Sequence, residues 1–427
     1  MLYFETTGVA ITIDTCEFMG NPGTPFVVEQ VIYMDSALSF TMTNTKFQDM
    51  SGTVLAMWDE NEGNRGDVYF ESVTGSSLVF DQNLFDFVAN NVTWKLCDFS
   101  NYQVGTGFVF VQVHTPGVGV LQVTDSNVSS QANTVGSVFY VIGKSALIYG
   151  GTYQDIHVPI LNATVTDQVY FFGVVIKQLS EVLYFEQNTE NPPQYVTFEG
   201  LTISDVTCPY GYNSCFLSTS GSADYSTTFY WGQNTVTDVA GDPAWTSSLL
   251  GVGSNSIKIT GGSFDGVTGV PMIADLGAQG LVTPENSPAE FSYINITNSD
   301  MYLFNLITTR SSLLVDHVRV ENSDIMGGSV FGEIRIAGEL GYVTNCTIQA
   351  STILGTNADK VFSLSAPNSI LNIVDMEIGS CTFGSEMLVF SAQSDVVSAD
   401  WTISRLNIHD VSSGAQIRIE PSGKLFL

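Results

Sequence analysis

The sequence predicts an all-β repeat structure, a solenoid of short stacked coils, and three observations carry that expectation. A phrase of the form apolar-x-Asp-apolar recurs down the 427 residues, as in "TKFQDMSG", "GTYQDIHV", "LTISDVTC", "TVTDVAGD", "GSFDGVTG" and "LNIHDVSS". Markers set on this phrase fall about 23 to 35 residues apart, about 28 on average, and periods of 20 to 50 residues mean solenoids, propellers or arrays. Around each marker, β-branched and aromatic residues alternate with polar ones between Gly, Asn and Asp, which reads as strand. Helical periodicity is nearly absent.

Each coil is read in the same order. A first strand leads into the marker, as in "AITIDTCEF", "LSFTMTNTKF", "VTWKLCDF", "SIKITGGSF" and "WTISRLNI". A second follows it, as in "GTVLAMW", "GFVFVQV", "KVFSLSA", "MLVFSA" and "AQIRIE". Between them the residue before the marker is Asp49, Asp155, Asp205, Asp238, Asp300, Asp324 or Asp410, with Asn101, Asn127 and Gly266 filling other coils. These types tolerate a left-handed backbone, so the phrase marks a sharp corner. A longer variant, "VTDSNV", "ITNSDM" and "VENSDI", ends at Val128, Met301 and Ile325. The repeats are too short for four-stranded propeller blades, which need about 40 to 50 residues.

With "DTCEFMGN", "KLCDFSNY", "TNCTIQAS" and "GSCTFGSE", the chain resembles the right-handed parallel β-helix family of pectate lyases, phage tailspikes and polymorphic outer-membrane proteins. The resemblance covers essentially the whole sequence and implies about fifteen coils in a single domain, 1–427, a segment of a longer chain. Its motifs specify architecture and say almost nothing of chemistry. The β-helix enzymes it brings to mind hold acidic polysaccharides with paired Asp residues and a basic clamp, or with Asp-bound Ca²⁺ and an Arg base. This sequence lacks an adjacent Asp pair, and its cations, among them Lys46, Lys95, Lys177, Arg319, Arg335 and Arg405, are scattered.

Composition narrows the partners. There are 13 Lys and Arg against 43 Asp and Glu, a formal net charge of −30. Nucleic acid and anionic membrane are poor partners for such a chain, whereas Ca²⁺ meets a surplus of oxygen ligands. No apolar run is long enough to span a bilayer.

Cys16, Cys97, Cys346 and Cys381 each stand two residues before Phe18, Phe99, Ile348 and Phe383, a spacing that puts both side chains on one face of a strand and predicts a buried thiol stack. Cys346 and Cys381 would then lie on neighbouring coils. Cys208 and Cys215 close the short loop "CPYGYNSC" and are the disulfide candidate, which would imply an oxidising compartment. Sequons at Asn91, Asn127, Asn162, Asn295 and Asn345 permit glycosylation in a secreted setting. His114, His157, His317 and His409 are isolated and read as surface or turn residues. Asp155, Asp205 and Asp238 are the turn carboxylates that could take Ca²⁺, the one cofactor contemplated; self-capping turns are the simpler account. Polar inserts at 57–67, 186–194 and 276–290, with Trp58, Trp231 and Trp245 nearby, are where recognition surfaces would arise.

The functional expectation is a non-catalytic, extracellular or cell-surface structural solenoid, a building block of a surface rod or filament, or an adhesin stalk. Its partners would be itself, end to end or side by side, other extracellular proteins, or glycans. The alternative is a glycan-binding or glycan-cleaving β-helix of tailspike or lyase type, which a cluster of carboxylates and aromatic residues on one lateral face would favour.

Overall fold

The computed structural model describes residues 2–426 except 6–8, 21–25, 36, 60–65, 106–108, 133–135, 187–192, 209–213, 220–226, 242–247, 252–255, 271, 277–288, 302, 310–311, 337–343, 366–368, 385, 392–399, 413–415 and 421–423. Trp245 and most of the inserts at 57–67, 186–194 and 276–290 lie outside these residues, as does the side chain of Trp58.

The alternating segments become strands that pair in parallel with the equivalent segment one coil later, and the chain is a right-handed parallel β-solenoid. Every described regular element is β. The chain divides into two compact units, Met1–Thr207 with Thr219–Gly221, and Cys208–Ser218 with Ser222–Leu427.

In the first unit the ladder runs in register from Ile13 through Met42, Phe70, Trp94, Val123, Ile148 and Phe171 to Phe198. In the second it runs from Trp231 through Ile259, Phe291, Val315, Ile348 and Ile373 to Ile403. All of these side chains are buried. Alternation along each strand sends the intervening residues outward, so one face of every strand fills the interior and the other meets solvent. Aromatic residues cluster in the core of the first unit: the Phe70, Phe85, Phe99 and Phe110 rings surround Trp94 at centroid distances of 4.5, 4.7, 5.5 and 5.9 Å.

The corners are left-handed, as the recurring phrase predicts. Asp49, Asn101, Asp155, Asp205, Asp238 and Asp410 all have φ between 51 and 55°, and Gly266 has φ 66°. The longer variant corrects the expectation: the left-handed residues are Asp125, Asn298 and Asn322, each two positions before Asn127, Asp300 and Asp324. The residue in between is a serine whose hydroxyl turns back on the chain. Ser126, Ser299 and Ser323 donate to the carbonyls of Thr124, Thr297 and Glu321, at 3.0, 2.7 and 3.0 Å. Left-handed residues also include Leu96, Tyr293, His317 and Arg405, types that sequence alone would not place there. Their conformation is held by the ladder: the Leu96 amide donates to Thr124 O at 2.9 Å and that of His317 to Gln349 O at 3.1 Å.

The same post explains three cysteines. Cys16, Cys97 and Cys381 follow the left-handed residues Thr15, Leu96 and Ser380, and their thiols donate two residues back, to Asp14 O, Lys95 O and Gly379 O at 3.4, 3.2 and 3.0 Å. They occupy the serine position rather than a stack of their own. Around Cys97 the neighbouring coils place Val73, whose carbonyl accepts from the Asp98 amide at 3.0 Å, and Ser126, whose hydroxyl accepts from the Cys97 amide at 3.0 Å. Cys346 belongs to a different position, in mid-strand between Leu313 and Leu371. The predicted thiol stack is thus corrected: a thiol substitutes for a hydroxyl at scattered corners because both can reach the same carbonyl. Burial pushes the Cys97 and Cys346 thiols up to about 12, so both remain protonated.

Candidate functional site

A four-residue segment lies between two rows of left-handed corners in the second unit, and its outward positions bring charge and aromatic character together. The first corner row reads Tyr293, His317, Ala350, Asp375 and Arg405, and the second Asn298, Asn322, Gly355, Ser380 and Asp410. Between them, register stacks Asn295, Arg319, Thr352, Glu377 and Asn407 in one outward row. The next outward row carries Thr297, Glu321, Leu354, Gly379 and His409. Alternation puts Val318 and Val320 inward, which is why Arg319 and Glu321 share the outer side.

Tyr293, Asn295, His317, Val318, Arg319, Ala350 and Thr352 line an open depression of about 290 Å³. The Tyr293 ring is 57% exposed and stacks on the His317 imidazole at 4.8 Å, 18° from parallel. His317 Nδ1 lies 2.6 Å from Asp316 Oδ1, so a carboxylate orients the ring. Arg319 Nη2 donates to Glu321 Oε1 at 2.6 Å, and that carboxylate raises the guanidinium's affinity for its proton. Three coils further, His409 Nδ1 sits 3.1 Å from Asp410 Oδ2 and Nε2 3.3 Å from Glu377 Oε1. These two carboxylates, Asp410 foremost, raise the His409 pKa. Its imidazole lies over Gly379, where any Cβ would strike it at 2.3 Å. Arg405 clamps Asp375 through both guanidinium nitrogens and lowers its pKa.

The sequence names His317, His409, Arg319 and Arg405 as isolated or scattered, and here that expectation is corrected. Tyr293 was missed altogether. A signal existed: Tyr293, His317 and Arg319 are separated by about one repeat or by two residues, the spacings that unite side chains on a solenoid face.

Other candidates stay apart. Asp155 and Asp205 occupy one corner row with Gln178 between them, and Asp155 Oδ1 pairs with His157 Nε2 at 3.2 Å. Asp238 lies in the other unit. Among the described residues, no group of three or more His, Cys, Asp or Glu side chains is placed to hold a metal ion. Cys208 and Cys215 are joined in a disulfide with Cα atoms 4.6 Å apart. Of the sequons, Asn91 and Asn295 are exposed, whereas Asn127 is half-buried, its Oδ1 accepting from the Thr152 amide at 2.9 Å. Asn162 is half-buried with an enclosed Oδ1, and the side chain of Asn345 is outside the described residues. His114 is exposed, and Trp231 is fully buried rather than part of a binding surface. No described helix is long and apolar enough to cross a membrane.

No family model matches the chain, and no curated protein matches it. Among solved structures it is similar to the PL6 family alginate lyase AlyGC in a mutant form, with 8% identity and a TM-score of 0.28, over 95% of this chain and 83% of that one. The expectation of a non-catalytic protein is corrected to this extent: a structure the chain is similar to is that of an enzyme. At this level of likeness the match assigns the chain no activity.

Proposed function

We propose that the chain is a glycan-recognising β-solenoid whose binding face is the outer strand row around Arg319. The observation that carries this reading is the grouping of an exposed ring, a guanidinium–carboxylate pair, an amide and a hydroxyl about one open depression, in Tyr293, Arg319, Glu321, Asn295 and Thr352. Sugars present hydroxyls that both donate and accept, together with apolar C–H faces. Arg319 and Asn295 supply donors, Glu321 an acceptor, and Tyr293 a flat apolar surface. The negative net charge does not oppose this, because local placement rather than the total decides what a small site meets. An extracellular setting is consistent with the Cys208–Cys215 bridge.

Whether recognition leads to cleavage is part of the same reading. His317, oriented by Asp316, is the imidazole at the depression and the candidate for moving a proton. The test is calorimetric titration of the full chain with a panel of neutral and acidic oligosaccharides, alongside assays for new reducing ends and unsaturated products. Binding that weakens at least about tenfold in both Arg319→Ala and Tyr293→Ala is expected. Binding to no saccharide, or equal binding by wild type and both variants, would end the proposal. Product release abolished by His317→Gln would extend recognition to cleavage.

A further inference from the structure

The interior of the first unit holds a line of polar atoms that the solenoid's own hydrogen bonds leave unsatisfied. Trp94, Tyr102, Gln131 and Tyr153 are 0, 1, 2 and 0% exposed. Trp94 Nε1, the Tyr102 and Tyr153 hydroxyls, and both polar atoms of the Gln131 amide have no hydrogen-bond partner among the described protein atoms. Buried polar groups are almost always partnered by protein or by ordered water, because leaving them bare costs the full penalty of desolvation.

These groups are neighbours. Tyr102 is directly opposite Gln131 in the parallel ladder. One coil later Tyr153 is opposite Val128, three residues from Gln131. The Tyr102 ring packs on Phe110 at 4.7 Å, Phe110 on Trp94 at 5.9 Å, and Phe139 on Tyr153 at 6.1 Å. The polar tips thus lie within an aromatic sleeve, where burial raises the pKa of both phenols.

The chemistry of the set names its occupant. Two phenols can each donate and accept, the Gln131 amide offers two donors and a carbonyl, and the indole donates only. All four are neutral, so an ion placed there would gain no opposite charge to offset its desolvation. A small neutral molecule that both donates and accepts fits every one of these tips. We propose that the core of the first unit encloses an ordered water site, with water molecules bridging Tyr102, Gln131 and Tyr153 and reaching towards Trp94. Buried waters of this kind typically make about three hydrogen bonds and form part of the fold. Gln131 is what makes the site necessary: a residue with amide chemistry stands where the coil before it has the Tyr102 ring.

The direct test is a crystal structure of the full chain at a resolution that shows water. Ordered density within hydrogen-bonding distance of the Tyr102 hydroxyl and the Gln131 amide is expected. An interior in which these tips bond to one another, or stay bare with no density between them, would overturn the proposal. Tyr102→Phe and Tyr153→Phe give an independent reading from thermal unfolding. Each removes a partner from a bridging water and should lower Tm by roughly 2 °C. A higher Tm in either variant would mean that an unpaired hydroxyl had been removed, which contradicts a hydrated site.

Discussion

The outward faces of the two units put the same backbone to different uses. In the first unit, the strands Asp67–Glu71 and Asn91–Lys95 carry a simple pair, Lys95 Nζ on Glu71 Oε1 at 2.7 Å, with Tyr69 donating to the same carboxylate at 2.9 Å. Further along that face the rings of Tyr149, Tyr170 and Phe172 cover one another at 5.4 and 6.1 Å. In the second unit, Arg319 and Glu321 share one coil beside the exposed Tyr293 ring and an open depression, and Glu377 and His409 follow two and three coils further along the same outward rows. Inward positions and corner posts follow one rule in both units. What differs is the outward alternation, which the fold leaves unconstrained, and a solenoid can therefore change its ligand without changing its core.

The comparison breaks most visibly if the two interiors are not alike. Trp94→Ala in the first unit and Trp231→Ala in the second should each cost about 3–5 kcal/mol in denaturant unfolding, because both indoles are fully buried. A small cost in one unit alone would show that its core is looser. Cys208→Ser comes next, with a loss of about 2 kcal/mol for a loop this short, read under non-reducing conditions. It should leave saccharide binding at Arg319 unchanged, since the bridge does not touch that face.

The corner posts sharpen the comparison on a finer scale. Ser126→Ala should cost about 1 kcal/mol, because the Cys97 amide donates to Ser126 Oγ at 3.0 Å. Ser126→Cys should cost less, since Cys97 and Cys381 already make the equivalent backward bond. Equal effects of the two substitutions in chemical denaturation would remove the shared rule.

The smallest effect is a pH signature. Thr43 and Asn44 donate to Asp14 in the first unit, and Asn298 and Thr297 to Asp265 in the second, and both carboxyls are held below the ordinary value of 3.8. A depressed folded pKa means stability fully present above the unfolded value and lost as pH falls through the folded one. Thermal unfolding should therefore weaken below about pH 4 in wild type, and less steeply in Asp14→Asn and Asp265→Asn. His409, whose pKa is raised from 6.5 by Asp410 and Glu377, has the opposite sign. Its contribution is present below 6.5 and fades as pH rises through the folded value, a slope that His409→Gln should abolish.

Much of the fold was legible because the solenoid repeats its demands. Inward residues such as Phe70, Trp94 and Val123 recur one coil apart with period-two alternation, and corners such as Asp49, Asp155 and Asp238 carry residue types suited to a left-handed backbone. The corners of "VTDSNV" and its relatives were misplaced by two residues because their serines, polar in sequence, are buried and bonded to the chain behind them. Leu96 and Tyr293 gave no corner signal, since neither type favours a left-handed backbone; at Leu96 a hydrogen bond from its amide to Thr124 O on the next coil holds the corner. The site was hidden for a related reason. Arg319 meets Asn295 and Thr352 across the ladder, and which distant residues share a face depends on loop lengths that vary from coil to coil.

The central claim is that the outer row around Arg319, and not the paired face of the first unit, recognises saccharide. Titration of wild type, Arg319→Ala and Lys95→Ala with the same oligosaccharide panel tests it most directly. The account predicts that Arg319→Ala binds at least about tenfold more weakly while Lys95→Ala binds as wild type does. Loss of binding in Lys95→Ala with Arg319→Ala unaffected would contradict it.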